Sequence, residues 1–227
     1  MAVFQYDTAI TTAFRQLSGG FIVGSGIKNG SSTPDVLDMY LAEQASVKER
    51  IGETPLSELP TLAGWRAAFR QFGVDPTGYR SAAEALLRRL TKKGDIPSIN
   101  LLVDLCNLVS IRYGLPVAAI DTRQVNLPIT VRFARGDETF INLNQSEADH
   151  PAAGEVIFTD EADVVIARRW CWRQSEESAA REETTDLLVT IEAQNDGGAE
   201  LVKSAVNDLM TLLPAHLGGT YSSFFLP

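Results

Sequence analysis

The chain has 227 residues, 44% of them hydrophobic, and a net charge of −9 from 20 basic and 29 acidic side chains. That acidity argues against a DNA-binding protein or a general nucleic-acid binder, which would carry net positive charge or a strong basic stripe. Local contacts to RNA phosphates through a few placed arginines stay open. The length suits one domain over 1–227, with 1–60 as an N-terminal extension built into it, and is enough to bury a full core.

Cys106 and Cys171 lie 65 positions apart, no CxxC occurs, and only His150 and His216 could add imidazoles. That speaks against a zinc site, and no metal or cofactor is expected. Nothing demands an oxidising compartment, so a reducing cytoplasm is the expected location. The start, MAVFQYDTAI, lacks a signal peptide's basic region and apolar run. No apolar run approaches the ~20 residues of a membrane span, so no membrane partner is expected.

Taken in order, Ala9–Leu17 suits a helix or a strand. Ser18-Gly19-Gly20 separates it from a short strand at Phe21-Ile22-Val23 that ends at Gly24-Ser25-Gly26. Thr33 is placed to cap a helix whose first position is Pro34, running to about Arg50 before Gly52. A helix from near Leu59 to Phe72 carries Leu62, Trp65, Phe69 and Phe72 at the spacing of one apolar face, with Arg66 and Arg70 beside it. Ser81 with Glu84 reads as a capping box opening a helix that stops at Gly94. Arg80, Arg88, Arg89, Lys92 and Lys93 make this helix the one basic cluster. They read either as charge suited to a helix C-terminus or as RNA phosphate contacts.

The stretch PSINLLVDLCNLVSIRYGLPVAAID, Pro97 to Asp121, predicts a helix from Ser98 to about Tyr113, a Gly114 stop, a turn at Pro116 and a strand. On a wheel, Asn100, Asp104 and Asn107 share a stripe on a helix otherwise apolar nearly all round. Such a stripe needs partners, since unpaired buried polar groups are costly. It is either a polar brace or a pocket floor.

Strands follow at Val117–Asp121, Ile129–Phe133 and Thr139–Leu143. Gly154–Phe158 and Asp163–Ala167 suggest a hairpin about Thr159-Asp160-Glu161. Asp186–Ala193, DLLVTIEA, reads as a buried strand. A last helix from about Ala199 to Leu213 precedes a tail, 217–227, whose Tyr221, Phe224 and Phe225 should pack back. Helices, then strands, then a helix predict an α+β fold with at least one antiparallel sheet.

No P-loop, GxGxxG in a βαβ setting, GxSxG, HExxH or EF-hand loop occurs, and neither histidine sits in a triad motif. One segment is unusual: Arg168-Arg169-Trp170-Cys171-Trp172-Arg173-Gln174-Ser175 follows an apolar strand directly. Its arginines suit a carboxylate or phosphate and its tryptophans suit a base or a cation. The other reading is a surface where tryptophan packs flat and arginine pairs with the excess acids.

Several signals occur in a fixed order. Trp65-Arg66, Phe69, Gly73, Asp75-Pro76 and Tyr79-Arg80 lead to Leu86–Leu90. Pro97–Asn100, Val103-Asp104, Asn107 and Ser110 come next, then Gly114-Leu115-Pro116 with Asp121. Gly154-Glu155 with Phe158, Arg168–Ser175 and Ile191-Glu192-Ala193 complete the set. Over about Thr61 to Leu213 this resembles the freestanding relatives of the B-three/B-four domain, the editing module of the phenylalanyl-tRNA synthetase β subunit.

The resemblance implies an α+β fold around a central pocket where water hydrolyses a wrong aminoacyl ester, as in double-sieve editing. Where synthetase modules commonly read QPLHAFD this chain has Leu115–Asp121, so the family histidine falls on Ala118; where they read GGE it has Trp172-Arg173-Gln174. Asn100 and Asn107 are then expected as the pocket floor, with Arg66, Arg169, Trp170, Arg173 and Gln174 binding substrate. Asp104 and Glu192 are the candidate catalytic carboxylates. The implied partner is mischarged tRNA, hydrolysed in trans. The alternative is a non-catalytic protein that binds a free amino acid or related small molecule.

Overall fold

The computed structural model describes residues 3–226. Chain order begins with β1 (Phe4–Tyr6), α1 (Thr8–Ala13), β2 (Leu17–Ser25), α2 (Pro34–Ile51), α3 (Pro60–Gln71), α4 (Ala82–Lys93), α5 (Leu101–Tyr113) and β3 (Val117–Asp121). It continues with β4 (Ile129–Phe133), β5 (Phe140–Ile141), β6 (Ala148–Asp149), β7 (Val156–Thr159), β8 (Val165–Arg168) and β9 (Arg173–Gln174). The chain closes with β10 (Asp186–Gln194), α6 (Gly198–Leu217) and β11 (Thr220–Leu226). This is the expected α+β class.

One sheet is antiparallel in the order β11-β2-β10-β3, and α5 and α6 pack on it with α2 outside α5. A second sheet runs β1-β4-β7-β8-β9, with β1 parallel to β4 and the remaining pairs antiparallel. Strand β10 serves both cores because side chains alternate along a strand. Leu187, Val189, Ile191 and Ala193 join the helical core, while Leu188 joins Phe4, Trp65, Phe158 and Trp170 in the core beneath the second sheet. Thr190 and Glu192 follow Leu188 at intervals of two and so share its face.

Several boundaries differ from the sequence reading. The open segment at the start is helix α1, capped by Asp7, whose side chain accepts from the Ala9 N–H. Strand β2 runs through Gly19-Gly20 instead of starting after them. A Cβ on Gly20 would lie 2.6 Å from Val202 and Val206 of α6, so glycine here is what lets the helix approach the strand. Thr33 precedes α2 but makes no side-chain cap; its hydroxyl goes to the Asp35 carboxylate.

Ser81 accepts from the Glu84 N–H, but Glu84 turns to Arg66 and leaves the capping box half made. Helix α5 is capped by Asn100, whose side chain accepts from the Val103 N–H, so it starts after Ser98 and not at it. Only Phe140–Ile141 of the expected Thr139–Leu143 strand pairs as one, joined to its neighbours by single bridges at Thr139 and Asn142. The hairpin strands begin at Val156 and Val165, and Asp160 holds the turn by accepting from the Ala162 and Val164 N–H groups. Helix α6 continues past Leu213 to Leu217, and most of the tail is β11, an edge strand on β2. No helix among the described residues is long and apolar enough to cross a membrane.

Candidate functional site

A cavity of about 410 Å³ lies where the two sheets and α5 meet. Thr190 and Glu192 of β10 and Ala118 and Ile120 of β3 line it from the first sheet. Phe158, Ile166 and Ala167 line it from the second sheet, and Val103, Cys106 and Asn107 from α5. The segment Trp170–Gln174 closes one side. The lining is mostly apolar, so the few polar groups in it fix the chemistry.

Glu192 is the chief of these. Its side chain is 2% exposed. Oε1 accepts from the Tyr6 hydroxyl at 2.7 Å and from the Trp170 indole N–H at 3.0 Å. Oε2 takes no side-chain or backbone hydrogen bond among the described residues. Burial raises the carboxyl pKa, the two hydrogen bonds pull it back, and the balance stands at about 7. The group is therefore shared between acid and carboxylate near neutral pH, the poise of a general acid or base. Burial also raises the Tyr6 phenol, and the Glu192 charge adds to that.

The unusual arginine-tryptophan segment places Trp170 through its backbone. Arg169 and Trp170 have φ of 45° and 61°, consecutive left-handed residues without glycine. Such strain persists only when the surroundings hold it, and it clusters at functional sites. Buried Glu155 holds it here: its carboxylate accepts both arms of the Arg168 guanidinium and also the Arg169 N–H. The turn sends Trp170 inward, where it is fully buried between Trp65 and Phe14, and leaves Trp172 half-buried at the cavity edge.

Outside the turn, cations and rings cluster, with Tyr79 and Trp172 edge to face at 5.0 Å between centroids. The Arg169 guanidinium lies 3.8 Å from the Tyr79 ring centroid and 4.4 Å from that of Trp172. Arg173 lies 4.7 Å from the same indole. Gln174 spends its amide on the carbonyls of Ala119 and Ser178.

Of the residues singled out from sequence, the cavity gathers Asn107, Trp170, Arg173, Gln174 and Glu192. It does not gather Asp104. That carboxylate is fully buried and accepts from the Ser32 and Ser98 hydroxyls and the Ile99 N–H, so it braces two loops and has no route to the cavity. Asn100 is likewise not a floor residue. It caps α5 and donates to the Ala180 carbonyl, holding a wall segment from behind. Arg66 pairs with Glu84 at 2.6 Å in a separate cleft, and Arg169 stacks at the rim without lining the cavity.

That separate cleft, about 510 Å³, is lined by Arg66, Arg80, Arg88 and Lys92 with Glu53 and Glu84; Arg89 and Lys93 lie outside it. Its Arg80 lies two positions before Ala82, which lines the main cavity and donates its N–H to the Cys171 carbonyl.

The sequence gives Tyr6 and Thr190 no signal, and it marks Tyr79 only as part of a family pattern without a site role. Nothing local marks Tyr6, which reaches Glu192 from β1, the edge strand of the second sheet. Cys171 lines the cavity, and burial and the Glu192 charge push its thiol up, while burial alone pushes Cys106 to about 12. Neither is a nucleophile at neutral pH. Among the described residues no group of three or more His, Cys, Asp or Glu is arranged to hold a metal ion.

An α+β body with two main sheets, an apolar cavity between them and a buried carboxyl of raised pKa in its lining is the architecture of a pocket protein. The chain belongs to the B3/4 domain family, whose model matches residues 64–203. It is similar to the β subunit of phenylalanine–tRNA ligase from Photorhabdus laumondii, 32% identical over 110 residues, which covers 48% of this chain and 14% of that one. The corresponding subunit of a Synechococcus strain is 30% identical over 157 residues, covering 61% of this chain and 18% of that one. The chain thus spans less than a fifth of the length of these relatives. An N-terminal fragment of the phenylalanyl-tRNA synthetase β subunit from Pyrococcus horikoshii shares the fold with a TM-score of 0.50 at 12% identity, covering all of this chain and 54% of that one.

Proposed function

We propose that this B3/4 protein is a trans-acting hydrolase that removes a misattached amino acid from tRNA. The observation that carries the reading is Glu192: buried at the cavity floor, one oxygen fixed by Tyr6 and Trp170, the other unpartnered, with a pKa of about 7. In its carboxylate form it takes a proton from a water as that water's oxygen attacks the ester carbonyl. The carbon–oxygen bond to the ribose then breaks, and the ribose oxygen takes the proton back. The products are a free amino acid and an uncharged tRNA. The apolar lining receives the amino-acid side chain. Arg80, Arg88 and Lys92 in the basic cleft, with Arg89 and Lys93 beyond it, meet backbone phosphates leading to the cavity.

The test is deacylation of a panel of tRNAs carrying cognate and non-cognate amino acids, comparing wild type with Glu192→Gln and Arg173→Ala. Hydrolysis of one mischarged pair, lost in Glu192→Gln, is the expected result. Hydrolysis at the buffer rate across the panel would sink the reading.

A second reading has its own support. Ala118 stands where the related modules carry histidine, and the amide of Gln174, standing for their glutamate, is spent on two backbone carbonyls. A cavity without those ionisable groups suits a binding protein for a free amino acid. Calorimetric titration with free amino acids, positive where deacylation is absent, would select it.

A further inference from the structure

The first sheet has two edges, and they are finished differently. At one edge lies β3, and the segment 174–179 covers it. Ile120 bridges to Ala179, the Asp121 N–H donates to the Ser178 carbonyl at 2.9 Å, and the Ala119 carbonyl accepts from the Gln174 amide at 2.9 Å. At the other edge lies β11. All seven of its residues pair with β2 in unbroken register. Apart from that pairing, no backbone hydrogen bond reaches 220–226 among the described residues. The N–H and C=O groups on the outer side of β11 therefore have no partner strand.

Such an edge is a template for another strand, and proteins ordinarily blunt it with shortness, charge, proline or a bulge. The second sheet uses shortness, since its edge strands β1 and β9 have three and two residues. None of these devices occurs in β11. Its sequence TYSSFFL has no charge and no proline, its register does not shift, and Phe225 is 47% exposed.

We propose that β11 pairs antiparallel with β11 of a second copy of this chain, about a two-fold axis at Ser223. Three observations select a second copy. First, the strand complements itself. The register centred on Ser223 uses all seven residues and sets Tyr221 of one copy opposite Phe225 of the other, an aromatic cross-strand pair. Second, each copy carries a net charge of −9, yet 217–226 carries none, so the pairing strands bring no like charges together. The same lack of cations gives RNA phosphates nothing to hold here. Third, the assembly closes. The joined sheet runs β3-β10-β2-β11-β11-β2-β10-β3, and both of its outer edges are β3, already covered. Growth stops at two copies, as in an isologous dimer. Neither β2 nor β11 lines the main cavity, so this inference is independent of what the cavity binds.

The test is disulfide trapping of the full chain. Ser223 is exposed, so Ser223→Cys should fold. In the proposed pairing the two introduced thiols face each other across strands whose opposite Cα atoms are about 4.5 to 5.5 Å apart. That suits a disulfide, which spans about 4.4 to 6.8 Å between Cα atoms. Mild oxidation should link most of the protein as a dimer on non-reducing electrophoresis. Thr220→Cys is the control: Thr220 is also exposed, but its two copies lie about 20 Å apart along the strands and should not link. Wild type, with Cys106 buried and Cys171 half-buried, should not link either.

Sedimentation of wild type should give twice the mass of one chain. Phe225→Lys, which sets a charge on the edge, should weaken the dimer at least tenfold while its circular dichroism spectrum stays that of the folded chain. A wild type that sediments as a monomer at every concentration would overturn the proposal. So would equal linking of Ser223→Cys and Thr220→Cys, which marks random collision, or a wild-type dimer whose Ser223→Cys variant does not link, which places the contact elsewhere.

Discussion

Two buried carboxylates, one on α5 and one on β10, have opposite surroundings. Asp104 is surrounded by donors: two serine hydroxyls and a backbone N–H reach its two oxygens. Glu192 has two donors on one oxygen and none on the other among the described residues, and it lines the cavity. Burial alone does not distinguish them. A carboxylate whose lone pairs are all used holds structure together, and one left partly unsatisfied beside a cavity is available for chemistry.

The largest effect expected from this contrast is on Asp104. Asp104→Ala leaves Ser32, Ser98 and the Ile99 N–H without their acceptor in a buried site. The cost should be about 4 kcal/mol of stability, read from urea denaturation. Hydrolysis per folded molecule should not change. A loss of turnover without loss of stability would break the comparison, because it would put Asp104 in the reaction.

Glu192→Gln should do the reverse. Deacylation should fall about 100-fold, the usual contribution of a general base. Stability should change in the other direction. The folded pKa of about 7 lies above the ordinary 4.5, so the folded protein holds a proton that the unfolded chain has released. Wild-type stability therefore falls as pH rises from about 4.5 through about 7, and the amide removes that loss. At pH 8 the variant should be more stable by at most on the order of 3 kcal/mol, read from denaturation at pH 5 and pH 8.

A smaller effect sharpens the assignment of the fixed oxygen. Tyr6→Phe removes one donor to Glu192 and leaves Trp170 in place. The carboxylate loses support, so its pKa moves up from about 7. Less base is present at pH 7, and deacylation there should drop roughly threefold to tenfold. Activity should return at pH 8.5, because the carboxylate form is restored. A profile unmoved by Tyr6→Phe would show that Glu192 is not the titrating group.

How much of this was legible in the sequence follows the range of the forces involved. The start of α4 at Ser81, its stop at Gly94 and the end of α5 at Gly114 are local matters and could be read directly. The nearly continuous apolar run in Asp186–Ala193 marks a buried strand, and its period of two puts Thr190 and Glu192 on one side together. What could not be read depends on distant partners. Gly19-Gly20 looks like a break but is a strand interior, because α6 presses on it from far along the chain. The stripe of Asn100, Asp104 and Asn107 assumes that all three lie in the helix. Asn100 is its cap, Asp104 turns to the preceding loops, and only Asn107 reaches the cavity. Glu192 emerged from the family resemblance alone, and its partner Tyr6 had no signal at all.

The smallest effects belong to the basic cleft, where the same logic of satisfaction applies to cations. Arg66 is paired with Glu84, whereas Arg88 and Lys92 are exposed and have no ion-pair partner among the described residues. Arg88→Ala and Lys92→Ala should leave stability unchanged, as surface substitutions usually do. Each should weaken tRNA binding a few-fold and lower the slope of log affinity against log salt by about 0.7 to 0.9, one released counterion apiece. Arg66→Ala should instead cost stability, because buried Glu84 would lose its close pair and keep only Arg80 at 3.8 Å, with little change in the salt slope. A salt slope that responds to Arg66 and ignores Arg88 and Lys92 would reverse the roles of paired and unpaired cations. The phosphates would then run elsewhere on the surface.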